Sequence, residues 1–271
     1  MLSLTRFASA IVVSLAVSSI VATSTWAQTP IPTDPPTSST EMLGEIPVDL
    51  RGTWLMVANG KFVGMKNEVK EGGRNTVELY SVDMKDGKLD MQLLLRKLPK
   101  AIADEIDLAN KNFAPWKPSD EQLANLKRSL DKLEPDDPMR FLRHTIKFYG
   151  PDHFQDALMR GPATGMAKDA LFLIDIEHEY RPQPMTDEHP GAQVVADKCF
   201  YAAHKIEPTA ITGVHGRAVI AAGFVPIPVS TIGDFQLYRL RAPGEAAPAE
   251  AAPSMSQRLS ETLSSLFRGC K

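Results

Sequence analysis

The chain has 271 residues, 43% hydrophobic and 23% charged, with a formal net charge of −3. These fractions exclude a wholly disordered, collagen-like or polytopic membrane chain, and the balanced charge makes nucleic acid an unexpected partner. Two cysteines are too few for a disulfide-dense scaffold or a four-thiolate zinc site.

The first 27 residues have the pattern of a secretory signal peptide. Arg6 supplies a positive charge, residues 11–21 form an apolar run, and Ala27 is a small residue at the expected cleavage point. The run is shorter than the roughly 20 residues of a membrane span, although an uncleaved anchor is the alternative. We therefore expect an exported protein, either periplasmic or secreted.

Two segments poor in core-forming residues bound the predicted globular domain, which spans residues 46–241. Residues 28–45 are rich in Pro, Ser and Thr, and residues 242–253 are rich in Pro and Ala, so both are predicted to be linkers. Residues 254–271, the tail, are predicted to contain an amphipathic helix because apolar residues recur there at helical spacing. These residues are Met255, Leu259, Leu263, Leu266 and Phe267. The tail is predicted to pack on the domain or, alternatively, to bind a protein partner or a membrane surface.

The domain is predicted to be mainly β. Asn59-Gly60 and Asp86-Gly87 each separate two apolar runs, which is the strongest short signal for a hairpin turn. After Asp86-Gly87, apolar and polar residues alternate with a period of two from Leu89. Further strands are predicted near residues 139–149, 169–180, 192–207, 209–223 and 229–241.

A helical insertion is predicted within this β domain at residues 99–133. Ile102 and Ile106 belong to one helical stripe, and Ser119 with Gln122 forms a capping box at the start of a second helix. Eight or so strands with such an insertion fit a closed or nearly closed antiparallel barrel, because closure removes exposed sheet edges.

Residues 51–55, Arg-Gly-Thr-Trp-Leu, resemble the Gly-x-Trp signature at the start of lipocalin-type barrels. In that family the Trp closes one barrel end and an Arg of the last strand packs across it. The resemblance thus implies that Trp54 stacks with Arg239 or Arg241. It also implies a lipocalin-like (calycin-type) barrel that holds a small apolar molecule. The Thr-Asp-Tyr signature of the family is absent, and a core Trp in an unrelated β-sandwich is the alternative.

Two predicted strands carry a continuous apolar face that includes a histidine. One face contains His144 and the other contains His178, and both would point into a barrel. The predicted ligand-binding set consists of Leu142, His144, Ile146, Phe148, Phe172, Ile174, Ile176 and His178.

A metal site formed by His144, His178 and His204 conflicts with the expected strand register. In an antiparallel meander with turns near residues 159 and 186, His144 and His178 lie about 13 Å apart, and His178 and His204 about 33 Å apart. Zinc needs nitrogen ligands at about 2.0–2.1 Å. We therefore predict no metal site and no cofactor.

No catalytic residue is assigned from the sequence. The chain lacks a Gly-x-Ser-x-Gly motif, a phosphate-binding Gly-rich loop and a His-Glu-x-x-His motif. The row of Asp175, Glu177 and Glu179 is interpreted as a solvated face, and Cys199 and His204 point to opposite faces of their strand. An enzyme stays open as a less favoured class.

The two cysteines are predicted to form a disulfide. Cys199 alternates with Asp197 and Tyr201, a pattern taken as the outer face of the barrel, and Cys270 is the penultimate residue. In an oxidising compartment a bridge between them would hold the tail against the barrel wall. Two free thiols or an intermolecular bridge through Cys270 are the alternatives.

The sequence thus predicts an exported, non-enzymatic protein that binds a small apolar ligand in the cavity of a β-barrel. The alternative is a structural or assembly factor of the cell envelope, which binds a protein partner or a membrane surface through residues 254–271.

Overall fold

The computed structural model describes residues 36–63, 68–137, 141–158, 169–181, 193–222 and 227–245. Within these residues the chain forms strands and short helices in the following order: β1 (Thr37–Leu43), β2 (Gly52–Val63), β3 (Val69–Lys85), β4 (Lys88–Leu93), α1 (Lys100–Lys111), α2 (Asp120–Ser129), β5 (Phe141–Tyr149), α3 (Phe154–Leu158), β6 (Phe172–Tyr180), β7 (Gln193–Ile206), β8 (Ala210–Ala222) and β9 (Ile227–Arg241). The chain is therefore mainly β, as the sequence predicts.

The strands form one sheet in the order β1-β5-β6-β7-β8-β9-β2-β3-β4, which curls into a nearly closed barrel. Neighbouring strands are antiparallel except β1 and β5, which run parallel. The prediction of an entirely antiparallel barrel is therefore wrong in this one pairing. The extra strand, β1, lies within residues 28–45, for which the sequence predicts a linker. The composition does not reveal this strand because β1 pairs through its backbone and needs little apolar alternation.

The two edge strands of the sheet, β1 and β4, meet at a seam. The Thr40 hydroxyl donates to the Met91 carbonyl oxygen at 3.0 Å and accepts the Met91 N–H at 3.2 Å. One side chain therefore satisfies both backbone groups of Met91 where a ladder of backbone bonds is missing.

The two predicted hairpin turns have different outcomes. Asp86 and Gly87 form the turn between β3 and β4, with φ of 51° and 76°, as a type I′ turn requires. Asn59 and Gly60, in contrast, lie inside β2 and pair with both β3 and β9. A Cβ at position 60 would lie 2.7 Å from the Thr231 hydroxyl oxygen, so this glycine permits close packing rather than a turn.

The barrel interior is filled by apolar side chains from alternate positions of the strands. This core includes Trp54, Met56, Tyr80, Met91, Ile146, Phe148, Phe172, Ile174, Ile176, Tyr201, Phe235 and Leu237.

The helical insertion covers part of the outer wall. Ile102 and Ile106 of α1 and Leu126 of α2 pack against outward-facing residues of β2, β3 and β9. The predicted capping box of α2 is confirmed, since Ser119 Oγ accepts the Gln122 N–H at 3.2 Å and Gln122 Oε1 accepts the Ser119 N–H at 2.8 Å. None of the helices in the described ranges combines the length and apolar character of a membrane crossing.

The middle of strand β7, residues 199–203, is buried on both faces, and Cys199 there has the opposite orientation to the predicted one. Phe200 points outward but packs beneath Leu43 and Phe154, so apolar residues occur on both faces of the strand. Cys199 points into the barrel and is only 3% exposed. Among the described residues it is a free thiol, and Cys270 lies outside them. The predicted bridge required a sulfur at the outer wall, whereas the Cys199 sulfur points into the barrel.

A β-bulge near the start of β5 removes Leu142 from the predicted interior face. Phe141 pairs with Tyr180 and Arg143 pairs with Glu179, so Leu142 is the extra residue of the strand. Leu142 is 40% exposed, whereas Phe141 occupies the interior position. Inclusion of Leu142 in the predicted lining is therefore wrong.

Candidate functional site

A pair of buried histidines lies inside the barrel. His144 of β5 and His178 of β6 are direct cross-strand partners, and their rings stack with centroids 4.7 Å apart and planes at 10°. The expected separation of about 13 Å is wrong because it assumed turns midway between the strands, whereas the packed register aligns the two positions. The Nε2 atoms of both rings are buried and have no hydrogen-bond partner within the residues that the structure describes.

The carboxylate of Asp197 connects His178 to the neighbouring strands. Asp197 lies opposite His178 on β7, and Asp197 Oδ1 lies 2.8 Å from His178 Nδ1. The Tyr180 hydroxyl donates to Asp197 Oδ2 at 2.9 Å, and Arg217 Nη2 of β8 donates to the same oxygen. A second nitrogen of Arg217 donates to the Thr76 hydroxyl of β3 at 2.8 Å. This network, called the Asp197 network below, fixes the positions of Tyr180 and Arg217.

The environment of the network perturbs its ionisable groups. Burial alone raises the pKa of Asp197, but the hydrogen bond from His178 and the charge of Arg217 outweigh it and lower the pKa to about 2. Burial, assisted by His178, lowers the pKa of His144 to about 3. At neutral pH the network is therefore built around an ionised Asp197, and the His144 ring that stacks on His178 is neutral.

An opening in the barrel wall, the side cleft, exposes part of this network. Strand β4 pairs only with residues 80–85 of β3, and β1 pairs with β5 only from Arg143 onward. The wall is therefore missing beside residues 74–79 of β3. The resulting cleft has a volume of about 680 Å³ and is lined by these residues, by α1, by the chain after β4, and by Phe141, Tyr180 and Arg217.

The predicted ligand-binding residues occupy a different place. Ile146, Phe148, Phe172, Ile174 and Ile176 belong to the packed interior core and do not line the side cleft. His144 and His178 lie deeper than the cleft, with the Phe141 ring against that of His178 at 5.2 Å.

The residues that line the cleft were missed by sequence reasoning. One signal was present for Arg217, which alternates with His215 and Gly213 on a strand of small residues. A second signal was present for Tyr180, which continues the apolar face of Ile176 and His178 on its strand. Asp197, which holds Tyr180 and Arg217 in place from behind the cleft, gave no signal because the faces of β7 were predicted in reverse.

Trp54 of β2 and Arg239 of β9 lie next to each other, as the lipocalin resemblance implies. The Arg239 guanidinium lies 4.5 Å from the Trp54 ring, and Trp54 Nε1 donates to the Leu50 carbonyl oxygen at 2.7 Å. Arg241, the other candidate, instead forms a two-fold hydrogen bond to Asp131 at 2.8 and 2.9 Å. Gly52 has φ of 125°, and a Cβ there would lie 2.2 Å from the Arg241 carbonyl oxygen, so this position requires glycine.

A second concavity, the outer groove, lies on the outside of the barrel with a volume of about 770 Å³. Its lining includes the exposed apolar residues Val69, Phe113 and Ile232. His204 also lines it and so does not share the interior with the other two histidines. No group of three or more His, Cys, Asp or Glu side chains fit to hold a metal ion occurs in the described ranges.

Comparison with protein-family models, with curated proteins and with solved structures found no match to this chain. The nearly closed barrel is compatible with the predicted architecture, and the lipocalin-like assignment stays a prediction.

Proposed function

We propose that this chain is a non-enzymatic binding protein whose small ligand occupies the side cleft and contacts Phe141, Tyr180 and Arg217. The observation that carries this proposal is the coincidence of the cleft with the Asp197 network, which holds two of these side chains in place. A volume of about 680 Å³ lies within the 300–1,000 Å³ range of ligand pockets.

The character of the cleft favours a ligand that is apolar on one side and polar on the other. Leu79, Leu98 and Ile106 contribute apolar surface, whereas Glu78 and Arg217 contribute charge. The apolar residues of β5 and β6 pack against one another, which supports the side cleft over the barrel centre as the binding place.

The protonation state of Cys199, the candidate nucleophile, favours a binding role over catalysis. Burial raises the pKa of the Cys199 thiol, so the reactive thiolate is disfavoured. Cys199 also does not line the side cleft.

The proposal is tested by filling the cleft from helix α1. Ala103 lines the cleft and is half-buried, whereas Ala101 on the same helix is exposed and does not line it. Native mass spectrometry of protein from its natural host should reveal a non-covalent ligand on the unaltered chain and on Ala101→Trp, but not on Ala103→Trp. A ligand retained by Ala103→Trp, or bare mass for the unaltered chain, would contradict the proposal.

Export to the periplasm or the medium belongs to the same proposal, and it depends on residues 1–27, which lie outside the described residues. The alternative of a cell-envelope assembly factor depends on residues 254–271, which also lie outside them. Deletion of 254–271 separates the two functions, because a ligand binder keeps its affinity and an assembly factor loses its partner.

A further inference from the structure

The edge of β3 carries backbone groups that face the side cleft. The Leu79 carbonyl oxygen accepts the Leu94 N–H at 2.8 Å across this edge, and the Asn75 N–H donates across it to Asn110 Oδ1 at 2.7 Å. Backbone groups of an antiparallel strand alternate between its two edges, so the N–H and C=O of Val77 point the same way as those of Asn75 and Leu79. The ladder to β4 ends at Tyr80, and no backbone partner for Val77 on this edge occurs among the described residues.

The side chains around this edge form two walls of opposite character. Val77 and Leu79 point to the outer side of β3, where Leu98 and Ile106 add to the apolar wall. Glu78 lies on the other side of the same strand, where Tyr180 and Arg217 complete a polar wall. A strand laid along the edge would present alternate side chains to these two walls.

We propose that the ligand of the side cleft is an extended peptide segment that adds to β3 as an extra strand, pairing with the N–H and C=O of Val77. Its residues alternate between apolar side chains on the Leu98 and Ile106 wall and polar side chains on the Glu78 and Arg217 wall. The open stretch of edge is centred on Val77 and is bounded by the bonded Asn75 N–H and the bonded Leu79 carbonyl, so the segment has about five residues over about 17 Å. Addition of a strand to a free edge is a general mode of peptide recognition, in which backbone bonds supply affinity and alternate pockets supply specificity. This inference rests on the proposed function, because it names the ligand class of the same cleft.

The probe is a random heptapeptide library displayed on phage. It is selected on the whole mature protein and counter-selected on Ala103→Trp, and the enriched peptides are then synthesised. We expect enriched sequences in which apolar and polar residues alternate. Methylation of the one peptide nitrogen that pairs with the Val77 carbonyl should weaken binding by about tenfold or more, because the donor is lost, whereas methylation of the next nitrogen along should have a much smaller effect.

Two substitutions at one position separate the backbone contribution from that of the side chain. Val77→Pro removes the N–H, which takes no part in the ladder to β2, and also replaces the side chain by a ring that restricts φ; proline is tolerated at such an edge position. Val77→Ala removes the side chain and keeps the N–H. Val77→Pro should weaken binding by about tenfold, and Val77→Ala by about twofold or less, with circular dichroism confirming that both variants fold.

The outcomes distinguish this inference from the proposed function. The peptide assignment would be overturned if no enriched peptide binds the unaltered chain more tightly than Ala103→Trp. Equal binding of the peptides by Val77→Pro and the unaltered chain would also overturn it. If a co-purified ligand of another class is bound by the unaltered chain but not by Ala103→Trp, the cleft keeps its binding role and only the peptide assignment fails. If the native ligand and the selected peptides all bind Ala103→Trp normally, both proposals fail. Because methylation acts on the unaltered protein, the test holds even if Val77→Pro does not fold.

Discussion

Asp197 is the residue on which the interior polar network depends. Asp197 is 3% exposed, and its carboxylate accepts hydrogen bonds from His178 and Tyr180 of β6 and from Arg217 of β8. A buried carboxylate of this kind compensates the charge of its cationic partner, so its removal leaves that charge unpaired.

We expect Asp197→Asn to lower the free energy of unfolding by about 3–5 kcal/mol, since Arg217 then loses its buried counter-charge. The measurement is urea denaturation at neutral pH. Asp131→Asn is the matched control, because the Asp131–Arg241 pair is exposed on the Asp131 side and its loss should cost less than about 1 kcal/mol.

The loss of stability in Asp197→Asn is expected to depend on pH. The pKa of Asp197 is lowered to about 2 in the folded protein, against about 3.9 for an unperturbed Asp, so its contribution is fully present above about pH 4 and is lost as the pH falls towards 2. The difference between the unaltered chain and Asp197→Asn should therefore be constant from pH 5 to 7 and shrink below about pH 4. A difference that grows on acidification would contradict this assignment.

At the scale of elements, the buried side chain of Asn75 joins the helical insertion to the barrel. Asn75 Nδ2 donates to Asn110 Oδ1 and to the Ala114 carbonyl oxygen, both at 2.9 Å, and Asn75 Oδ1 accepts the Trp116 N–H at 2.9 Å. One residue of β3 thus satisfies the end of α1 and the connection to α2, beside the side cleft.

Asn75→Ala should lower the free energy of unfolding by about 2–3 kcal/mol, because the Ala114 and Trp116 backbone groups lose their partner. Hydrogen exchange followed by mass spectrometry should show faster exchange in residues 112–118, while β7 and β8 stay protected. Asn112→Ala is the control, since Asn112 is exposed and its side chain makes no hydrogen bond in the described structure. Unchanged exchange in residues 112–118 would show that apolar packing alone holds the insertion.

At the scale of the whole molecule, the seam between β1 and β4 decides how completely the barrel closes. A continuous backbone ladder is absent there, and Thr40 makes both of the hydrogen bonds to Met91. The ladder between β3 and β4 ends at Tyr80 and Leu93, and the side cleft begins there.

Thr40→Val has nearly the same shape as the native side chain but leaves the Met91 N–H and C=O without their partner. We expect a loss of about 1–3 kcal/mol in the free energy of unfolding and faster amide exchange at Met91. Thr37→Val, on the same strand at an exposed position, should leave both quantities unchanged. Equal behaviour of the two variants would mean that the seam is held by packing and not by Thr40.

Local signals in the sequence were enough for several elements of this fold. The capping box of Ser119 and Gln122, the Asp86-Gly87 turn and the strands β5 to β9 lie close to where the sequence predicts them. Each depends on residues adjacent in the chain, through a cap, a turn geometry or an alternating pattern.

The faces of the strands could not be assigned in the same way. Cys199 and Phe200 are neighbours on β7 and are both buried, because the barrel core covers one face and Leu43 and Phe154 cover the other. Alternation reveals a face only when its opposite is solvated, so the orientation of Asp197 was not available from the sequence. The bulge at Leu142 likewise depends on the partner strand β6 and has no local signal.

The sequence by itself determined that the chain is mainly β, with a helical insertion and an alternating strand pattern, because these properties follow from short-range geometry. Only the tertiary structure decided the parallel pairing of β1, the direct opposition of His144 and His178, and the side cleft beside Val77 and Arg217. These features arise where strands far apart in the chain meet, and their register depends on the packing of both barrel faces together rather than on the residues of any one strand.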